Sequence, residues 1–245
     1  MGVLLEEGLR YPFRGERSLD LFAIGGLLGI SVSIAFQMTV AATSTLFAPL
    51  FVAPAVMAVI VLLGYLLRVF DSTLTGDDVP PGFRPLRGLC RDGLELLVLS
   101  AAYISVSAAI VLVTLVGLTR APIDPTSAGF MGTLLFFGAS TATLVLALAF
   151  GYVYPAGIGR LANGRRLRKA IDPRGQRPVL THVGYFTAWV FALLLVVPGW
   201  AFLLTALSSA TAFGVVAAFV TFYAHVVAAR LIARGYQTAT ADLDR

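Results

Sequence analysis

Charge is the scarcest feature of this 245-residue chain. Only 13% of its residues are Asp, Glu, Lys or Arg, against roughly 25% in an ordinary soluble domain. With 58% hydrophobic residues and a mean hydropathy of +0.87, the chain has too little charge to fold as a sphere in water, and lipid is the solvent that suits it. Cysteine is nearly absent too. Cys90 stands alone, which excludes an intramolecular disulfide, a multi-cysteine zinc site and a CxxC redox pair. Histidine occurs only at His182 and His225, and there is no phosphate-binding P-loop and no HExxH. A Ser–His pair or two aspartates within apolar stretches, as intramembrane proteolysis requires, are also missing. The chain is therefore not expected to be an enzyme, and no cofactor, metal or catalytic residue is expected.

What the chain has in abundance is long apolar runs. A hydrocarbon core of about 30 Å takes about 20 helical residues to cross, because unpaired backbone groups find no partner in lipid. Six stretches meet that length, at about 19–40, 47–69, 94–118, 129–154, 182–206 and 210–232, and none carries a charge in its centre. The expected fold class is all-α: a polytopic integral membrane protein with six transmembrane helices in three hairpins. Residues 1–18 form an N-terminal or interfacial segment, 19–232 the membrane domain and 233–245 a tail. The start, "MGVLLEEGLRYPFRGERSLD", does not read as a signal peptide, because Glu6 and Glu7 interrupt its apolar stretch and Arg10, Arg14 and Arg17 follow it. Val3, Leu4, Leu5 and Leu9 suit a short interfacial helix or a partly ordered tail. Pro49 and Pro54 are expected in the first turns of the second span, and Pro198 predicts a kink in the fifth.

The basic residues set the orientation. Of the 18, 17 fall before the first span, between spans two and three, between four and five, or from Arg230 onward, and only Arg120 lies on the other side. The positive-inside rule then puts both termini and the two longer loops in the cytoplasm. The net charge of +5 and pI of 9.7 follow from those loops. No nucleic-acid partner is expected, because no DNA- or RNA-reading element accompanies the basic run. The loop residues Arg160, Arg165, Arg166, Arg168, Lys169, Arg174 and Arg177 are instead expected to face anionic lipid headgroups.

Polar residues in the spans are the remaining candidates. Ser100, Tyr103, Ser107 and Thr114 share one face of span three, and Thr221 stands one turn before His225 in span six. Together they suggest a polar path through the membrane, with His225 as relay or ligand group, or else hydrogen-bonded ties between packed helices. Gln37 belongs to the same question. Gly25, Gly29 and Ser33 form a small-residue face for another span or a second copy of the protein. Asp71, Asp77, Asp78, Asp92 and Glu95 lie among Arg68, Arg84 and Arg91, an arrangement that suits ion pairs at the membrane face better than a converging cation site. "TGDDVPPGF" (75–83) reads as a solvated turn with an extended path before its prolines. Gly64–Tyr65 and Gly151–Tyr152, each ahead of a basic loop, hint at duplicated hairpins.

The segments "LRYPFRG" (9–15), "GYLLRVFDSTLTGDDVPPGFRPLRGLCRDGLELL" (64–97), "YPAGIGRLANGRRLRKAID" (154–172) and "FYAHVVAARLIARGY" (222–236) carry a resemblance. In order and content they resemble the haloarchaeal membrane family catalogued as domain of unknown function 4013. The resemblance implies an archaeal cytoplasmic membrane protein and implies no activity. Two functions fit the residues: a structural or partner-binding membrane subunit, bound to another membrane protein or to its own copies, or a permease for an uncharged or apolar solute.

Overall fold

In hydrocarbon a backbone can bond only to itself, so apolar stretches of this length close into helices. The structure, a computed structural model, describes residues 2–120, 129–172, 174–209 and 211–243, without the side chains of 2, 3, 106–120, 130, 131, 135 and 136. In chain order the helices are α1 (Gly2–Arg10), α2 (Ser18–Ala41), α3 (Ala48–Leu74), α4 (Leu86–Arg120), α5 (Gly129–Gly164), α6 (Leu167–Ile171), α7 (Arg177–Leu180), α8 (Val183–Ser208) and α9 (Ala212–Leu243). No strand occurs among the described residues.

Among the described residues five helices are long and apolar enough to cross a membrane: α2, α3, α5 from Gly132, α8 and α9. The remaining expected span, 94–118, lies on α4, much of whose side-chain structure is outside the described residues. The helices outrun the expected boundaries at one end of the bundle. α3 reaches Leu74, α4 starts at Leu86, α5 reaches Gly164 and α9 reaches Leu243. Residues 233–243 continue α9 where a tail was expected, and Ala233, Gly235, Tyr236 and Ala239 are buried. Hydropathy marks the thickness of the hydrocarbon, whereas the helices go on pairing with one another beyond it. Pro49 lies in the first turn of α3 as expected, but Pro54 is inside the helix, as are Pro155 in α5 and Pro198 in α8.

α9 is the most enclosed span, packed along α8 and touched by α1, α2 and α3. The Gly25–Gly29–Ser33 face meets α9 within the same chain. A side chain at Gly25 would strike Phe222, one at Gly26 would strike Phe219, and Gly29 faces Ala218. α1 lies against α9, where Gly8 faces Leu231 and the Tyr223 hydroxyl donates to the Leu9 carbonyl at 2.9 Å, and its Leu4, Leu5 and Leu9 pack on the core. The outer surface is the reverse of a soluble protein's: Leu27, Ile34, Leu134, Leu144, Leu194 and Leu204 are all exposed, an arrangement that only an apolar surrounding stabilises.

The tightest crossing joins α3 to α4. A Cβ on Gly64 would collide with the Leu89 carbonyl, and one on Gly93 with the Ile60 carbonyl. Replacing either by Leu is expected to destabilise the fold by about 3 kcal/mol or more, since backbone rather than a flexible side chain must yield. Gly138 and Gly151 have open space around them, so Gly138→Ala and Gly151→Ala should melt like the unaltered protein. Thermal unfolding in detergent, followed by size exclusion, separates the two classes.

Candidate functional site at the charged end of the bundle

The ion pairs among the described residues gather where α1, the end of α3, the start of α4, the end of α5, the start of α8 and the end of α9 meet. At the centre is Arg230, only 1% exposed. A guanidinium so far from water must be paired, because desolvating a lone charge costs several kcal/mol. One of its terminal nitrogens donates to Thr73 Oγ1 at 3.1 Å and to the Asp77 carbonyl at 2.7 Å. The other meets Glu7 at 3.4 Å and the Asp78 carboxylate. The guanidinium lies over the Tyr11 ring, 4.5 Å from its centroid, a cation–π contact. Burial pushes the Tyr11 hydroxyl's pKa upward, with its bond to Ser72 and the Arg230 charge pulling the other way.

The turn "TGDDVPPGF" is therefore more than a solvated hinge. Gly76 ends α3 in the left-handed region, φ +89°, where an L side chain is strained. The chain then turns the Asp77 carbonyl and the Asp78 carboxylate onto Arg230. Beyond the two prolines Phe83 enters the core and stacks on Tyr65, ring centroids 4.4 Å apart.

A second arginine organises the α3–α4–α5 corner. Arg165 reaches Asp92 at 2.7 Å, Asp71 at 3.3 Å and Glu95 at 3.6 Å, while Arg68 holds the other Asp92 oxygen at 3.0 Å and Arg91 pairs with Glu95. Burial would lower the Arg165 pKa, yet the carboxylates more than offset it and hold it above the usual arginine value. Its backbone sits at φ +48°, a strained position for arginine. These carboxylates converge on arginines rather than on a space for a cation. Arg165, expected to face headgroups, is tied into this cluster and remains 36% exposed. Arg160 donates to the Asp172 carbonyl at 3.2 Å. Arg166, Arg168, Lys169, Arg174 and Arg177 are exposed and have no ion pair among the described residues.

The polar residues of the spans fall into two separate groups. Ser100 bonds the Tyr154 hydroxyl at 2.6 Å. The Tyr103 hydroxyl donates to the Ala170 carbonyl at 3.2 Å and accepts from Gln176, which is buried, at 2.9 Å. Thr221 and His225 belong to the α8–α9 interface. Thr221 donates to the Gly199 carbonyl at 3.1 Å. His225 holds the Thr221 carbonyl through Nδ1 at 2.8 Å and accepts the Trp200 indole N–H at Nε2 at 3.2 Å, which fixes the Nδ1–H tautomer. The side chains of Ser107 and Thr114 lie outside the described residues. Gln37 ties α2 to the Ala206 carbonyl of α8 at 3.3 Å. Trp200, Tyr154 and Gln176 escaped the sequence reading. The signal was there for Trp200, since an indole within a span needs an acceptor.

Two of the cavities that adjoin α2 are walled by residues described above. One, of about 870 Å³, lies between residues 14–24 and the 79–84 turn and is lined by Arg14, Arg17, Arg84, Glu16, Asp20 and Phe83 among others. The other, of about 380 Å³, lies between α2, α3, α8 and α9, with walls that include Gly29, Val32, Leu62, Leu203, Phe222 and His225.

Removing the Arg230 guanidinium should loosen the whole charged end. Arg230→Met is expected to destabilise by about 3 kcal/mol. Arg230→Lys should rescue little, because one ammonium cannot reach Thr73, Asp77, Asp78 and Glu7 together. Limited proteolysis should show cleavage within 75–84 in both variants and not in the unaltered chain.

No curated protein and no solved structure matches the chain. A family model described as "Protein of unknown function (DUF4013)" matches residues 47–208, from the start of α3 to the end of α8. That match takes in the segments 64–97 and 154–172 but not 9–15 and 222–236, and it covers about two thirds of the chain, so the protein belongs to the DUF4013 family.

Proposed function

We propose that this protein is a six-span subunit of an archaeal cytoplasmic membrane, with both termini inside, that performs no chemistry and serves as a structural or partner-binding element. One observation carries the reading. The intramembrane polar groups singled out in the sequence, where described, are already bonded to a neighbouring helix: Ser100 to Tyr154, Thr221 to Gly199, His225 to Trp200 and Gln37 to Ala206. Groups bonded in this way tie helices together. α5 supports a partner role, because it turns Gly138, Ala139, Ala142 and Leu144–Ala149 outward, open to another membrane protein or a second copy.

The inward orientation is supported by the basic loops and by the ion pairs at one end of the bundle. The permease alternative has the cavity between α2, α3, α8 and α9 in its favour, as a site for an apolar solute. Two experiments test these readings. With Cys90 replaced by Ser, cysteines at Asp77 and Arg168 should react only with reagent supplied to the cytoplasmic side, and cysteines at Thr45 and Thr211 only from outside. Reaction of Asp77→Cys from outside would overturn the topology. Proteoliposomes containing the protein should take up neutral solutes no faster than empty ones, and faster uptake would favour the permease.

A further inference from the structure

Four spans wall the cavity of about 380 Å³ between α2, α3, α8 and α9. Val59, Leu62, Leu63 and Leu66 recur at spacings of three and four, so one face of α3 turns toward it, and Leu203 and Leu207 line it from α8. Polar side chains reach the wall only at Ser33, Thr221 and His225. Each has already given its proton to a backbone carbonyl: Ser33 to Gly29 at 3.0 Å, Thr221 to Gly199 at 3.1 Å and His225 to Thr221 at 2.8 Å. The remaining His225 nitrogen takes the Trp200 indole N–H. A solute that brought a polar group here would bury it with no side-chain donor to meet it, at a cost in free energy. A hydrocarbon incurs no such cost and gains dispersion contacts. Apolar protein cavities of about 150 Å³ already take up benzene, and this one is more than twice as large.

The depth of the cavity and its outlet indicate where a hydrocarbon would come from. On α3 the wall starts at Leu66, two residues from Arg68, and ends at Val59, roughly 14 Å from that arginine along the helix. On α9 it runs from His225, five residues from Arg230, to Ala218, roughly 18 Å from it. Both arginines belong to the charged end, and the hydrocarbon of one leaflet is roughly 15 Å deep. The cavity therefore lies at the depth of that leaflet's acyl chains. It is not sealed from them. The four α3 residues are half-buried, and Val56 and Met57 beside them are exposed, as are Trp200 and Leu204 beside Leu203 on α8.

We propose that this cavity holds one acyl chain of a membrane lipid from the leaflet at the charged end, recognised through the chain and not through the headgroup. The occupant is a resident of the fold and not a solute in passage, which sets the site apart from the permease alternative. The site rests on the reading that the bundle spans the membrane with its charged end at headgroup level, though not on which side that end faces.

Native mass spectrometry of the full-length protein in detergent tests it, with lysophosphatidylcholine, phosphatidylcholine or phosphatidylglycerol of one chain length added. One molecule of each should be retained, with equal affinity. V32F/V59F, whose rings enter the cavity, and L203F on its α8 wall should each weaken retention of all three about tenfold, the loss of about two methylenes' burial. V52F, a like change on the exposed surface of α3, should leave retention unchanged, and so should R17Q/R84Q. Unchanged melting temperatures show that the variants remain folded. A preference for phosphatidylglycerol that disappears in R17Q/R84Q would overturn the site by showing recognition of the headgroup, and so would equal weakening by V52F and the cavity variants. Competition separates the sources of the chemistry: decane should displace the lipid and glycerophosphocholine should not. Displacement by glycerophosphocholine, or retention of decane by a protein that retains no lipid, would overturn the assignment to a lipid chain. A protein that requires detergent for extraction yet retains neither removes this inference and leaves the membrane reading standing.

Discussion

A buried arginine imposes its terms on everything near it. Arg230 is inaccessible to water, so its charge is stable only if hydrogen-bond acceptors are brought to it. Those acceptors come from the N-terminal helix, from the last turns of α3 and from the turn that follows. These pieces also have apolar contacts, through Leu4, Leu5 and Leu9 on α1, Val69 and Phe70 at the end of α3, and Phe83 after the turn. The guanidinium adds one polar anchor that α9, α1 and residues 75–83 share. Arg165 has the same role at the next corner, where it accepts a strained backbone in return for three carboxylates.

The structure separates two kinds of polar work. Among the described side chains, charges gather at one end, where they clamp loops to helix termini. Within the spans, neutral groups join one helix to the next through a carbonyl that would otherwise be bonded only along its own helix, as Thr221 does at Gly199 and Gln37 at Ala206. Each such bond is modest in lipid, about 0.6 kcal/mol on average. Close glycine-mediated approach, as at Gly64 and Gly93, contributes dispersion contacts that the bonds alone would not.

Five of the spans were legible in the sequence because hydropathy reports directly on the solvent, and the placement of basic residues marked the end where the described ion pairs gather. For Arg230 the burial was not legible in the same way. Counted as one more positive charge beyond a span, it looked like a topology signal, although "AARLIARGY" continues apolar and small-sided past it, as a buried face would. Its partners stand 152 and 223 positions away, a separation that no local pattern encodes. Glu7, read as an interruption of an apolar stretch, proved to be one of them. The polar stripe failed differently: helical periodicity placed Ser100 and Tyr103 on one face correctly, but which helix that face meets depends on tertiary packing. The small-residue face on α2 left its partner open in the same way, and α9 turned out to supply it.

The chain order of the Arg230 contacts governs how the fold is completed. Glu7, Tyr11, Thr73, Asp77 and Asp78 all precede Arg230 by at least 152 residues. Arg14 already lies beside Glu7 and Asp78 without α9, but the contacts of a buried guanidinium with Thr73, Asp77 and Tyr11 exist only when α9 is docked. α9 is thus a latch: through one buried side chain it joins the first helix to the α3–α4 turn.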